Sequence, residues 1–281
     1  KNLSGAARLK KTAAKKFRAR FARRNFGSLV HTLPPDFVAA PQCLENKVIL
    51  VTGAGDGIGR AAALSYAQHG ATVILLGRTI EKLEAVYDEI EAAGYPQAAI
   101  YPVHLRGAAM KDYEELANTI EREFGRLDGL LHNAGVLGQR RTLAQTTVDS
   151  WDEVLHVNLT APFMMTQALL PMLAAAENAS IILTSSSVGR KGRAFWGAYA
   201  VSKFGTEGMM QILAEEEFEL NNIRVNSINP GATQTVMRRT AYPGENPQNN
   251  PLPEVIMPLY LYLMSDASKT VNGQQFDAQS K

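Results

Sequence analysis

Cysteine is almost absent from this chain, whose 281 residues include a single one, Cys43. One cysteine excludes an internal disulfide framework and is typical of a reducing compartment. The five histidines form no ligand-spaced cluster with it, which disfavours a metal-dependent enzyme. The sequence also lacks an uninterrupted apolar run approaching the ~20 residues that span a bilayer. We therefore expect a cytoplasmic protein that needs no metal.

Acidic residues are missing from the N-terminal segment. Residues 1–35 contain ten of the 29 Lys and Arg residues, and the first carboxylate is Asp36. The remaining residues carry 19 basic and 27 acidic side chains, so the body of the chain is acidic. Apolar residues recur every four positions from Leu9 to Phe21, as in a basic amphipathic helix for an anionic membrane or nucleic acid. An organelle transit segment, a cloning remnant and a misassigned start are the alternatives. We expect neither nucleic acid nor membrane to bind the folded domain.

Short apolar, β-branched runs alternate with helical patterns from residue 47 onward. The runs lie at 47–52, 72–76, 99–103, 128–132, 180–184 and 223–228. Apolar strands that alternate with helices indicate an α/β fold whose parallel sheet is covered on both faces. We predict one doubly wound domain over residues 44–281, preceded by an N-terminal extension and lead-in, residues 1–43, outside the fold.

The first crossover contains a glycine-rich loop, in the stretch VILVTGAGDGIGRAAALSYAQHG. A buried strand runs into glycines at 53, 55, 57 and 59 and then into a helix. Glycines at this turn let the backbone approach a pyrophosphate, which the exposed N–H groups and the positive end of the helix stabilise. This strand-to-helix context predicts dinucleotide binding.

The second strand ends in LLGRT, which bears on the choice of dinucleotide. NAD-preferring enzymes usually carry a carboxylate there for the ribose 2′-hydroxyl, and Gly77 offers none. Arg78 supplies a guanidinium suited to a 2′-phosphate. We predict NADP(H); the alternative is that Arg78 points into solvent.

The stretch AYAVSKFG places Tyr199 and Lys203 four residues apart, on one face of a predicted helix. A lysine beside a packed tyrosine is the structural alternative. The functional interpretation is a proton-transfer pair, in which the ammonium group, together with the positive nicotinamide ring of an oxidised cofactor, lowers the phenol pKa from its usual value of about 10.

Six elements resemble the short-chain dehydrogenase/reductase family over about residues 45–278. In order they are TGAGDGIG at 52–59, HNAG at 132–135, Asn158, SSSVG at 185–189, YAVSK at 199–203 and NPGATQT at 229–235. The resemblance implies a Rossmann fold with a mainly parallel seven-stranded sheet in the order 3-2-1-4-5-6-7. It also implies hydride transfer between a nicotinamide cofactor and a carbonyl or alcohol carbon, in a homodimer or homotetramer.

The resemblance assigns four catalytic residues. Tyr199 would be the general acid/base, and Lys203 would support it and hold the nicotinamide ribose. Asn158 would position a water that passes protons to the lysine. Family spacing selects Ser186, rather than Ser185 or Ser187, to hydrogen-bond the substrate oxygen.

The same resemblance predicts a cofactor-contacting set along the chain. It comprises Gly53, Asp56, Gly57, Ile58, Arg78, Leu105, Asn133, Ala134, Gly135, Tyr199, Lys203, Pro230, Gly231, Thr233 and Thr235.

Three segments depart from the family pattern or are hard to interpret. His104 stands where the family commonly has Asp, and the C-terminal segment lacks the family's glycine pair. Residues 236–254 are rich in Pro, Asn and Gly, and we interpret them as a mobile substrate lid rather than packed structure. Within that lid, Arg238 and Arg239 are expected to face solvent by default, with an anionic substrate as the alternative.

The leading functional hypothesis is an NADP(H)-dependent oxidoreductase acting on a small carbonyl/alcohol pair. A dinucleotide-binding regulator without turnover is the alternative from another class, although it would need only the cofactor loop. A serine hydrolase is disfavoured because no G-x-S-x-G elbow surrounds Ser186.

Overall fold

A computed structural model describes residues 29–279, so the basic segment 1–28 and its predicted helical pattern lie outside the described residues. Within residues 29–279 the strands are β1 Val30–His31, β2 Val48–Thr52, β3 Thr72–Gly77, β4 Ala99–Pro102, β5 Gly129–His132, β6 Ser180–Thr184, β7 Arg224–Asn229 and β8 Gln275–Asp277. The α-helices of the same range are α1 Gly57–Gln68, α2 Ile80–Ala92, α3 Met110–Phe124, α4 Val148–Leu155, α5 Ala161–Ala174, α6 Gly197–Asn221, α7 Val236–Ala241 and α8 Met257–Met264.

These strands form one sheet in the order β1-β8-β7-β6-β5-β2-β3-β4, and every neighbouring pair is parallel. The predicted doubly wound α/β fold is confirmed. The chain reverses its direction of winding between β2 and β5, so the carboxyl ends of these strands border a crevice, the usual ligand site of such sheets.

The strand count differs from the prediction, because the described part of the chain has eight strands rather than seven. The additional strand is β1, in which Val30 pairs with Gln275 and His31 with Phe276. It belongs to the segment that we expected to precede the fold. The His31 and Phe276 rings are 5.5 Å apart, so this edge strand also adds a ring contact to β8.

Two apolar layers cover the sheet. Ile49 and Val51 of β2 face α1, α2 and α8, where Tyr66, Leu83 and Tyr260 are buried. Leu50 faces the opposite layer of α3, α5 and α6. Because both faces are covered, the strand is apolar throughout rather than alternating. Each such side chain contributes about 1.5–3 kcal/mol through burial.

A π-helical turn, His156–Thr160, joins α4 and α5 into a continuous helical stretch, Val148–Ala174. Within the described residues this stretch alone is long and apolar enough to cross a membrane, by length and composition. Half of its most apolar window is buried inside the fold, where Met165 and Leu169 pack in the core. The stretch is therefore a core helix in this structure.

Candidate active site

The crevice at the carboxyl ends of the strands is a cleft of about 700 Å³. Its walls include every residue of the predicted cofactor-contacting set, from Gly53 and Arg78 at one end to Tyr199 and Lys203 at the other. Ser186 lies in the same wall as Tyr199. Asn158 is the predicted site residue that does not line the cleft.

The glycine-rich loop leaves β2 at Gly53, whose φ of +70° suits glycine. A Cβ there would lie 3.1 Å from the Cα of Ala134, so the loop packs closely on the segment that follows β5. Helix α1 begins at Gly57, and its N-cap residue, Asp56, makes no side-chain capping bond. Gly57 and Ile58 line the cleft, so the positive N-terminal end of the helix borders it, a position that suits an anion such as pyrophosphate.

Thr52 fixes the segment after β5 to the end of β2. Its hydroxyl accepts hydrogen bonds from the backbone N–H groups of Asn133 (2.9 Å) and Ala134 (3.0 Å) and donates to the carbonyl of Leu131. This places Asn133, Ala134 and Gly135 beside the glycine-rich loop. The two family motifs thus form one continuous wall.

The end of β3 is positively charged. Arg78 is exposed at the rim of the cleft, and the described part of the chain shows no carboxylate paired with it. Lys82 also lines the cleft and binds the Asp56 carboxylate at 2.5 Å. That hydrogen bond holds the pKa of Asp56 below its usual range. A guanidinium without an acidic partner fits a 2′-phosphate.

Leu105 and His104 follow β4 along the same rim. Leu105 is buried and His104 is exposed, and both line the cleft. The sequence departs from the family pattern at His104. The next residue, Leu105, is nevertheless apolar, as the family resemblance implies.

The turn after β6 positions Ser186, the serine predicted to be catalytic. Ser186 accepts a hydrogen bond from the N–H of Val188 and caps a short 3₁₀ turn, Ser187–Gly189. A Cβ at Gly189 would lie 2.7 Å from the backbone of Lys203, so the turn packs directly on α6. This contact sets the Ser186 hydroxyl against the first turn of that helix.

Tyr199 and Lys203 lie one turn apart at the start of α6, and both are buried. The Lys203 ammonium group lies 5.7 Å from the centre of the Tyr199 ring and donates a 2.6 Å hydrogen bond to the carbonyl of Thr184. Ser186 stands close enough to the Tyr199 hydroxyl to lower its pKa. The three side chains predicted from the family spacing thus form one cluster.

The pKa of Tyr199 is raised by the protein residues around it, whereas the predicted lowering included a positive nicotinamide ring. Burial raises it to about 12, and the hydrogen bond with Ser186 opposes this rise. Burial also lowers the pKa of Lys203 to about 8, against the raising effect of Glu207. Helical spacing shows which groups are neighbours, but not how much water they lose on folding, and here desolvation is the larger effect.

Asn158 is buried in the π-helical turn, behind the cleft wall. Its side-chain oxygen accepts from the N–H of Val136 at 2.8 Å, and its amide donates to the carbonyl of Val136 and to the Ser202 hydroxyl. It therefore joins the segment after β5 to α6. Local π-helical turns of this kind are frequent at functional sites.

The segment after β7 closes the cleft. Gly231 has a φ of +74°, and the side chain of Gln279 donates to the carbonyls of Pro230 and Ala232 at 2.8 and 2.9 Å. Thr235 caps helix α7 by accepting from the N–H of Arg238. The C-terminal segment, whose role the sequence left undefined, therefore holds this wall.

The predicted lid contains more packed structure than its composition indicates. Residues 236–241 form helix α7, and Arg238 binds both oxygens of Glu245 at 2.5 and 2.6 Å. These hydrogen bonds bring the pKa of Glu245 down to about 2. Arg238 is thus paired, contrary to the expectation that it faces solvent, whereas Arg239 is exposed.

An aromatic cluster that the sequence did not reveal stands beside Tyr199. The Trp196 ring lies 5.7 Å from that of Tyr199 and 6.0 Å from that of Tyr242. The guanidinium of Arg140 stacks on Trp196 at 4.5 Å and donates to the carbonyl of Ala241. The spacing of Trp196, three residues before Tyr199, was an available signal, but Arg140 and Tyr242 come from distant loops.

The family model for short chain dehydrogenases matches residues 47–246, and the chain belongs to this family. It is an oxidoreductase with a Rossmann-type fold.

Individual relatives agree with this assignment. The chain is 51% identical over 236 residues to the uncharacterized oxidoreductase YciK of Escherichia coli (strain K12), covering 84% of this chain and 93% of that protein. The structure of a candidate short chain dehydrogenase from Pseudomonas syringae matches this one with a TM-score of 0.86. The match covers 87% of this chain and 99% of the other, and the two sequences are 58% identical. Another from Shigella flexneri, solved in complex with NADP, is 49% identical, with a TM-score of 0.83 over 86% of this chain and all of its own.

Proposed function

We propose that this protein is an NADP(H)-dependent oxidoreductase that interconverts a carbonyl and an alcohol, with Tyr199 as general acid/base. The observation that carries the proposal is the shared cleft. A phosphate-binding loop and Arg78 line one end, and Ser186, Tyr199 and Lys203 cluster at the other. The NADP complex of the Shigella flexneri protein supports the choice of cofactor.

The residues of the cleft fit an NADP(H) molecule. Gly53 and Gly57 leave room for a pyrophosphate at the N-terminus of α1, and Arg78 would bind the 2′-phosphate. When bound, NADPH supplies the hydride. We assign the ribose contacts to Asn133, to the segment that follows it and to Lys203.

Tyr199 would donate the proton that a reduced carbonyl oxygen needs. With a pKa of about 12 the phenol is protonated at neutral pH, which suits the reductive direction. The Ser186 hydroxyl, which lies in the same wall of the cleft, would donate a hydrogen bond to the same oxygen as negative charge develops there. Lys203, with a pKa of about 8, is mainly an ammonium group at neutrality and stabilises the phenolate left behind.

The direct test is to follow NADPH absorbance with a panel of carbonyl compounds, and NADP⁺ reduction with a matched panel of alcohols. Turnover of any pair supports the oxidoreductase. Tight NADPH binding without turnover across the panel would favour the alternative, a dinucleotide-binding regulator on the same scaffold.

Replacing Ser186 by Ala is expected to lower kcat about a hundredfold, because the developing oxyanion loses a hydrogen-bond donor. The matched control is Ser187→Ala, since Ser187 does not line the cleft, and its kcat should stay near that of the unmodified protein. Steady-state kinetics together with thermal melting checks both variants. Full activity of Ser186→Ala with an intact fold would show that another group donates the hydrogen bond to the substrate oxygen.

Replacing Arg78 by Ala is expected to raise the KM for NADPH roughly ten- to a hundredfold and to leave that for NADH nearly unchanged. The lost interaction is a charge-assisted hydrogen bond, worth about 1.5–3 kcal/mol. Arg60→Ala is the control, since Arg60 pairs with Glu89 and does not line the cleft. An unaltered ratio of the two KM values in Arg78→Ala would show that another residue selects the phosphate.

We also propose a homo-oligomer. Large apolar side chains are exposed along α5 and α6, where Phe163, Phe204 and Ile212 are each about half exposed. Large exposed apolar side chains are common at interaction surfaces. The cytoplasmic location stays a prediction.

A further inference from the structure

A buried carboxylate with no part in the proposed chemistry lies one helical turn from Lys203. Glu207 follows Lys203 by four residues on α6, so the two side chains share one face of the helix. The Glu207 side chain is only 6% exposed. Its two oxygens accept hydrogen bonds from Nε of Arg190 at 3.0 Å and from the Ser227 hydroxyl at 2.7 Å.

Arg190 connects this carboxylate to two other elements. It follows the 3₁₀ turn that Ser186 caps, and it also donates to the Asp277 carboxylate at 2.7 Å and to the carbonyl of Phe276. One guanidinium thus ties the serine turn, α6 and β8 together. A charge buried to this degree is costly unless it is paired, so the orientation of Glu207 is fixed.

The other groups around Lys203 do not replace the charge of Glu207. On α6, Tyr199 is neutral at physiological pH because of its raised pKa. On β5, burial and the nearby Lys203 charge lower the pKa of His132 to about 3, so it too is neutral. β6 contributes the backbone carbonyl of Thr184. The remaining charged groups are Arg190, which pairs with Glu207, and Asp277, which pairs with the same guanidinium.

We propose that Glu207 is a positioning residue: held by Arg190 and Ser227, it keeps Lys203 a cation in an otherwise desolvated site. Without Glu207 the ammonium group would face burial with no carboxylate on its own helix face. Lys203 would then deprotonate at a lower pH than it does in the unmodified protein. Only the kinetic part of the test below rests on the proposed function.

The test measures the Lys203 pKa directly, in the full chain, by NMR of ¹³Cε-labelled lysine, with Lys203→Met used to assign the signal. Glu207→Gln keeps the size of the side chain and removes its charge. We expect the Lys203 pKa to fall by roughly one unit in this variant. Glu207→Asp keeps the charge but withdraws it by one methylene, so its value should lie between those of the unmodified protein and Glu207→Gln.

The control is Glu217→Gln, which removes another buried carboxylate of α6, one that is hydrogen-bonded to Asn221. It should leave the Lys203 pKa unchanged. A Lys203 pKa that is the same in Glu207→Gln and the unmodified protein would overturn the inference. Should the Gln variant fail to fold, Glu207→Asp decides, because an unshifted pKa in that variant overturns the inference equally.

The kinetic part uses whichever carbonyl compound the panel identifies. Reductive kcat/KM should decline above the Lys203 pKa of about 8, and this decline should move to lower pH in Glu207→Gln but not in Glu217→Gln. A merely structural role would lower activity at every pH without moving the profile, and that result counts against the proposal. Because the NMR measurement needs no substrate, failure of the proposed function remains distinguishable from failure of this inference.

Discussion

Replacing Tyr199 by Phe is expected to lower kcat for carbonyl reduction about a thousandfold while leaving the fold and the NADPH affinity nearly unchanged. The substitution removes the hydroxyl beside Ser186 but keeps the ring that packs against Trp196. Since burial keeps this phenol protonated at neutral pH, its loss removes the proton donor itself rather than a contact that orients the substrate.

Stopped-flow measurement of NADPH oxidation, with NADPH binding followed by fluorescence, separates these two effects. Tyr242→Phe is the matched control, because Tyr242 lines the same cleft and lies 6.0 Å from the same tryptophan ring. Its kcat should change little. If Tyr199→Phe lost less than about tenfold in kcat, another group or solvent would be protonating the oxygen.

Much of the fold could be predicted from the sequence because β2, β3 and β6 are continuous apolar runs bounded by helical patterns. Their parallel order follows from the alternation with helices. Strand β1 could not be predicted in this way. It has two residues and is exposed, and it exists because β8 offers an edge to pair with. Pairing of this kind is a property of the tertiary fold and leaves no periodic pattern in the sequence.

The candidate site divides in a similar way. Helical spacing paired Tyr199 with Lys203, and the family resemblance selected Ser186, which lies in the turn packed on that helix. The stacking of Arg140 on Trp196 joins loops far apart in the chain, and no local pattern signals it. The effect of burial on the Tyr199 pKa could not be predicted for a related reason. Spacing identifies the neighbouring charge, whereas desolvation depends on the whole packed environment.

The second large effect is expected from Gly59→Ala. Alanine normally stabilises a helix relative to glycine, by about 0.5–1 kcal/mol. At Gly59, however, a Cβ would lie 2.6 Å from the side-chain amide nitrogen of Asn133 and 2.7 Å from the carbonyl carbon of Gly53, with the carbonyl oxygen of Gly53 closer still. Two of these three atoms belong to the backbone of the phosphate loop and cannot move aside cheaply.

We therefore expect Gly59→Ala to lower the free energy of unfolding by about 3 kcal/mol, an overpacking cost that exceeds the gain in helix propensity. NADPH affinity should fall at least about tenfold, because relieving the clash displaces either the loop or Asn133. Urea unfolding and fluorescence titration measure the two effects.

The control is Gly192→Ala, because there is open space around a Cβ at Gly192. Its free energy of unfolding should stay within about 0.5 kcal/mol of that of the unmodified protein. A Gly59→Ala protein as stable as the control would mean that α1 does not pack against the loop at this distance. The phosphate-binding geometry assigned to Gly53 and Gly57 would then be wrong as well.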